Sequence, residues 1–163
     1  MHGKPAEAHR LIPELRKEML KANPQSIIEY QLDVDNSFMR FFVCLSACRI
    51  GFLRGCRPFI GLDGCHLKGV YKGIMLNATS VDADSCLFPV AYAVVETESG
   101  DTWRWFLDML HEAIGDVGGL ALTSDKDKGL QLVIPVVFPG VEHRTCVRHL
   151  NSNLKKKISG GIV

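Results

Sequence analysis

The sequence predicts an α/β fold built on a mixed sheet, three antiparallel strands followed by parallel ones, flanked by helices. Three observations carry this reading. Ile74 to Val81 and Leu87 to Val95 are apolar, β-compatible runs joined only by Asp82-Ala83-Asp84-Ser85, so they pair as antiparallel neighbours. A stripe at helical spacing follows (Trp103, Phe106, Leu107, Leu110, Ile114), long enough to cross over to a parallel strand at Leu120. Two short apolar runs then end on an acid. Phe59 to Leu62 leads to Asp63-Gly64, and Leu120 to Ser124 leads to Asp125.

Residues Ala6 to Lys21 read as a helix, with Leu11, Leu15 and Met19 at four-residue spacing. Pro13 marks its first turn and Asn23-Pro24 ends it. Ile28 to Val34 alternates, with Ile28, Tyr30, Leu32 and Val34 on one face, which predicts a half-exposed strand. Asp35-Asn36-Ser37 turns the chain into a returning strand, Phe38 to Leu45, and a short helix covers Ser46 to Leu53. The first core strand climbs through Phe59, and Gly64 is expected to break it just after Asp63.

Pro89 places its strand at an edge or on a bulge. Ser99-Gly100-Asp101 caps the Trp103 helix, and both tryptophans are expected in or near the core. Gly115 to Gly119 breaks the chain before the Leu120 strand. Lys128 to Phe138 reads as a helix bent or ended near Pro135. Gly140 to Arg144 reads as a last strand, and Thr145 to Lys157 as a polar, basic helix. By analogy of element order, this is the ribonuclease H-like pattern, incomplete at the C-terminus. The domain reading is residues 1–57 as a helix-plus-hairpin appendage, 58–145 as the core, and 146–163 as the start of a further helical region.

Composition narrows the classes. The chain has 163 residues, 47% hydrophobic and 23% charged, with a net charge of +1, so no overall basic field announces nucleic acid. Six cysteines (Cys44, Cys48, Cys56, Cys65, Cys86, Cys146) form no CxxC pair and follow a polar start. They read as reduced thiols of an intracellular protein. No apolar run is long enough to span a bilayer.

The chemistry-bearing residues are Asp63 and Asp125. In a ribonuclease H-like sheet their strands are adjacent and parallel, which brings both carboxylates to one rim. Two like charges there favour a pair of divalent cations, and hard oxygen donors favour Mg²⁺ or Mn²⁺ over zinc. Such a pair suits phosphodiester chemistry. Asp63-Gly64 also reads as a plain turn, and Asp125 also reads as a cap for the helix at Lys128, with Asp127 a competing acid. Lys126 and Lys128 read as phosphate contacts or as solvated side chains. His143, Cys146 and His149 share a face if their segment is helical, although the spacing is not that of a zinc finger. Arg144, Arg148, Lys155, Lys156 and Lys157 form a basic cluster that suits phosphates or plain solvation. An unrelated thiol hydrolase using Cys65 or Cys146 ranks last, because the neighbours Cys65 and His66 would diverge.

Several motifs together resemble the transposases of Mutator-like DNA elements, the MULE group of DDE/D transposases. They are Phe59-Ile60-Gly61-Leu62-Asp63-Gly64-Cys65-His66-Leu67-Lys68-Gly69, Leu87 through Glu96, Trp103-Arg104-Trp105-Phe106-Leu107, Ser124 through Leu130, and Phe138 through Leu150. In family order they cover about residues 26 to 157. The resemblance implies a ribonuclease H-like core that cuts and joins DNA at element ends with two metal ions. It implies Asp63 and Asp125 as the first and second catalytic acids, and Cys146 and His149 as the family's CxxH motif. His66, Lys68, Lys126, Arg144, Arg148, Lys155 and Lys156 are candidate DNA contacts, and a nuclear location is expected.

The family pattern also has a third acid, a glutamate on a helix downstream of the CxxH motif. After Asp127 the last carboxylate side chain here is Glu142, ahead of that motif. The resemblance therefore implies a transposase-derived fragment, inactive or weakly active alone and prone to self-association. The alternative is a domesticated, non-catalytic DNA- or protein-binding module.

Overall fold

The computed structural model describes residues 10–68, 72–125, 128–147 and 151. The strands are β1 (Ile27–Leu32), β2 (Phe38–Cys44), β3 (Phe59–His66), β4 (Ile74–Val81), β5 (Leu87–Val95), β6 (Ala121–Ser124) and β7 (Glu142–Thr145). The helices are α1 (Ile12–Ala22), α2 (Ser46–Gly55), α3 (Gly100–Ile114) and α4 (Lys128–Val137). All seven strands form one mixed sheet in the order β1-β2-β5-β4-β3-β6-β7. The pairs among β1 to β5 are antiparallel, as is β3 with β4, while β3–β6 and β6–β7 are parallel. The β1–β2 hairpin thus continues the sheet through β5.

Burial follows the two-residue period of the strands. On β4, Ile74, Leu76, Ala78 and Ser80 are buried, while Met75, Asn77, Thr79 and Val81 are half-buried. The buried side packs under α2, α3 and α4 through Phe52, Trp103, Phe106, Leu107, Leu110, Leu130 and Ile134. Phe42 sits at the centre of an aromatic cluster with Phe106 and Trp105, at ring distances of 5.6 and 6.3 Å. α1 lies against the edge strand β1, where the Arg16 guanidinium bonds Glu29 Oε1 at 2.6 Å and the Ile28 carbonyl. The other side of the sheet is the one that Phe42 does not face. A row of cross-strand partners on that side runs Ile28–Val43–Tyr92–Asn77–Asp63.

Several element boundaries differ from expectation. β1 stops at Leu32, so Val34 lies outside it and is fully exposed. β3 does not break at Gly64: its antiparallel ladder with β4 runs on to His66. Other expectations hold: Pro89 lies on a bulge, in an interior strand between β2 and β4. α4 runs from Lys128 to Val137, ending just past Pro135. The Ser99 hydroxyl and Thr102 form a reciprocal capping box at the start of α3. Gly115 and Gly119 have φ of 66° and 70°, which explains the break between α3 and β6. All six cysteines are free thiols, and burial pushes Cys44 up to about 11. Among the described residues no helix is long and apolar enough to cross a membrane.

Candidate acidic site at the ends of two parallel strands

The parallel ladder between β3 and β6 pairs Phe59 with Ala121, Ile60 with Leu122 and Gly61 with Thr123. Asp63 and Asp125 each follow that last rung by two positions. Both acids are half-buried. β3 and β6 run in the same direction, so the carboxyl ends where ligands collect in open α/β sheets lie together.

Asp63 sits within β3, opposite Asn77 of β4. Its Oδ1 accepts the Gly64 N–H at 3.0 Å. The neighbours on its side of the sheet are small: Gly61 two residues back, flanked by Thr79 of β4 and Thr123 of β6. The result is a depression of about 360 Å³ lined in part by Gly61, Asp63, Asn77, Thr79, Thr123 and Cys146.

Asp125 follows Ser124, which is buried at the end of β6. The Ser124 hydroxyl donates to the Asp125 carbonyl at 2.8 Å and meets His143 Nε2 at 2.9 Å. With that hydroxyl proton committed, the imidazole donates from Nε2–H. Burial holds His143 below its ordinary value, which favours the neutral ring. The Cys146 N–H donates to the Ser124 carbonyl at 2.6 Å, so the chain after β7 is tied to the same strand end.

Two half-buried carboxylates at matched positions are hard oxygen donors of the kind Mg²⁺ and Mn²⁺ accept. Among the described residues, no three His, Cys, Asp or Glu side chains form a metal-holding group. His149 lies outside the described residues, and His143 falls in a strand, as the reading of Gly140 to Arg144 expected, so it shares no helical face with Cys146. His143 lies on β7, in register with Leu122 and turned to Ser124. Cys146 borders the acid depression instead.

His66 and Lys68 are exposed at and just beyond the end of β3. The Arg144 guanidinium pairs with Glu142 on its own strand, at 2.8 Å from Nη2. Lys126, Asp127, Arg148, His149, Lys155, Lys156 and Lys157 lie outside the described residues.

Sequence reasoning did not single out Asn77, Ser124 or Glu98. Asn77 had a signal, a polar residue opposite the first acid on the half-exposed side of a strand. Ser124 and Glu98 had none, since their contacts depend on chain distant in sequence. A comparison with curated protein sequences gave no match. The sequence profile of the MULE transposase domain matches residues 59–153, more than half of the chain, from the first residue of β3 to beyond β7. The chain therefore belongs to the MULE transposase domain family.

Proposed function

We propose that this chain is a ribonuclease H-like catalytic-core module of the DDE type, directed at DNA phosphodiesters and using Mg²⁺ or Mn²⁺ held by Asp63 and Asp125. The observation that carries the reading is the shared register of the two acids, each two positions past the Gly61–Thr123 rung. The strand order supports it. β5-β4-β3 is antiparallel, and β6 and β7 follow parallel to β3, which is the order expected of a ribonuclease H-like sheet.

A bound pair of divalent cations supplies an activated oxygen nucleophile and neutralises charge on the leaving oxygen. The chain's own residues do the rest. Asp63 and Asp125 offer carboxylate oxygens. The Gly64 N–H orients the first acid, while Ser124 and His143 hold the backbone of the second. Gly61, Thr79 and Thr123 line the depression beside the first acid. His66 and Lys68 lie exposed at the same end and suit phosphate contact. The β3–β6 register brings two acids, Asp63 and Asp125, to the site, where the family pattern has three. Cation position sets the in-line geometry, so we assign the chain alone weak or no nuclease activity.

The test is nicking of supercoiled DNA alongside Mn²⁺ binding. Mn²⁺ uptake is expected to be lost in Asp63→Asn and in Asp125→Asn, together with any metal-dependent nicking. DNA binding that persists in both variants and in chelator, without Mn²⁺ uptake by the wild type, would instead identify a non-catalytic binding module.

A further inference from the structure

We infer that Glu98 is a positioning residue for Asp63, acting through Gly64. The inference rests on the reading of Asp63 and Asp125 as a cation site. Glu98 lies in the link between β5 and α3, remote in sequence from β3. Yet a Cβ built on Gly64 would stand 2.9 Å from Glu98 Oε1, 3.1 Å from Cδ and 3.2 Å from Oε2. The Glu98 carboxyl group therefore fills the space that a side chain at position 64 would need.

Its place there is fixed from the helix side. Trp103, buried in the first turn of α3, donates its indole N–H to Glu98 Oε1 at 3.3 Å. The Ser99–Thr102 capping box sets the start of that turn. Glu98 is thus pressed onto β3 one residue after Asp63. Side chains alternate along a strand, so it approaches from the side opposite the Asp63 carboxylate.

Gly64 is where this contact becomes functional. Its N–H is the donor that holds Asp63 Oδ1 at 3.0 Å. Movement of the Gly64 peptide moves that donor and turns the carboxylate. Glu98 and Trp103 clamp the peptide from above, and Gly64 is glycine because the clamp occupies its side-chain space. The work is done by shape and by an acceptor oxygen for the indole N–H. A glutamine supplies both; an alanine supplies neither.

The test uses the whole chain, titrated with Mn²⁺, with amide hydrogen exchange read at Gly64. Outer residues that orient a metal ligand typically contribute about 10–100-fold in metal affinity. Glu98→Ala and Gly64→Ala are each expected to weaken Mn²⁺ binding by about tenfold. Glu98→Gln is expected to stay within about twofold of wild type, because it keeps the acceptor. Gly64 should exchange about tenfold faster in Glu98→Ala, reporting local opening. Unchanged Mn²⁺ affinity and unchanged Gly64 exchange in Glu98→Ala would overturn the inference. So would equal losses in Glu98→Gln and Glu98→Ala, which would mean that charge, not position, is what Glu98 supplies. If the wild type takes up no Mn²⁺, or Asp63→Asn still does, the cation-site reading fails by itself, and Gly64 exchange still decides the clamp.

Discussion

The Arg40 guanidinium on β2 forks onto Glu96 at the end of β5, with Nη2–Oε1 at 2.6 Å and Nε–Oε2 at 3.0 Å. Burial is unequal across the pair: the Arg40 side chain is 10% exposed and that of Glu96 37%. Arg40 also lies 5.8 Å from the centre of the Trp105 ring. Removing Glu96 strands a buried cation, whereas removing Arg40 leaves a carboxylate that water can reach. Glu96→Ala is therefore expected to cost about 2–3 kcal/mol, between the values for exposed and buried pairs, and more than Arg40→Met. Urea unfolding of the two variants checks the order; a larger loss in Arg40→Met would show that packing on Trp105 outweighs the charge.

Two groups fix the direction of the pH dependence. Burial holds His143 below its ordinary 6.5. At Glu96, burial pushes the carboxyl up, but the hydrogen bonds from Arg40 and the backbone, with the Arg40 charge, outweigh it and leave a net lowering. For both, the unfolded chain binds protons more readily than the folded one, so stability rises with pH. The His143 contribution is complete above its unfolded value and is lost as pH falls below about 6.5. The Glu96 contribution is lost at lower pH, through the carboxylate range. Melting temperature is expected to fall from pH 7 to 5.5, and His143→Gln should flatten that segment. A melting temperature that rises over the interval would contradict the burial of a neutral His143.

Strands were legible where one side is buried, because a two-residue period then shows directly. β4 was read to the residue, and Pro89 announced its bulge. The end of β3 was misread because Asp-Gly is also a turn signature. Here Gly64 stays in the ladder and its missing side chain admits Glu98. The last strand, with His143 in it, was read from Gly140 to Arg144, but its parallel pairing with β6, which turns His143 to Ser124, leaves no local signal. The two acids could be named from sequence. Their shared register, the contact of Ser124 with His143 and the approach of Glu98 to Gly64 arise only from long-range pairing.

On the proposed reading, a cation held between Asp63 and Asp125 would bind the folded chain and not the unfolded one, and so would raise apparent stability. At a free concentration of one hundred times the dissociation constant the gain is about 2.7 kcal/mol. Adding Mn²⁺ is expected to raise the melting temperature of the wild type, and a chelator to reverse it. Asp63→Asn and Asp125→Asn should each abolish the shift. Without metal, neither substitution should destabilise the fold by more than about 1 kcal/mol, since both side chains are only half-buried. An Mn²⁺ shift that survives both substitutions would place the cation elsewhere.

The side of the sheet that carries Asp63 also exposes apolar surface. Leu87 is 79% exposed and Tyr92 42%, and they sit opposite Val81 and Asn77 of β4. Pro89, also exposed, lies between them. A contiguous apolar patch of this kind drives association when nothing else covers it. The chain is expected to sediment as a concentration-dependent mixture of monomer and larger species. Leu87→Lys should shift the mixture toward monomer while changing stability by less than about 0.5 kcal/mol, since the side chain is in water already. A wild-type chain that sediments as a monomer at every concentration would show that this surface is not adhesive. Association unchanged in Leu87→Lys would move the contact to the outer face of α4, where Leu132 is 74% and Val136 60% exposed.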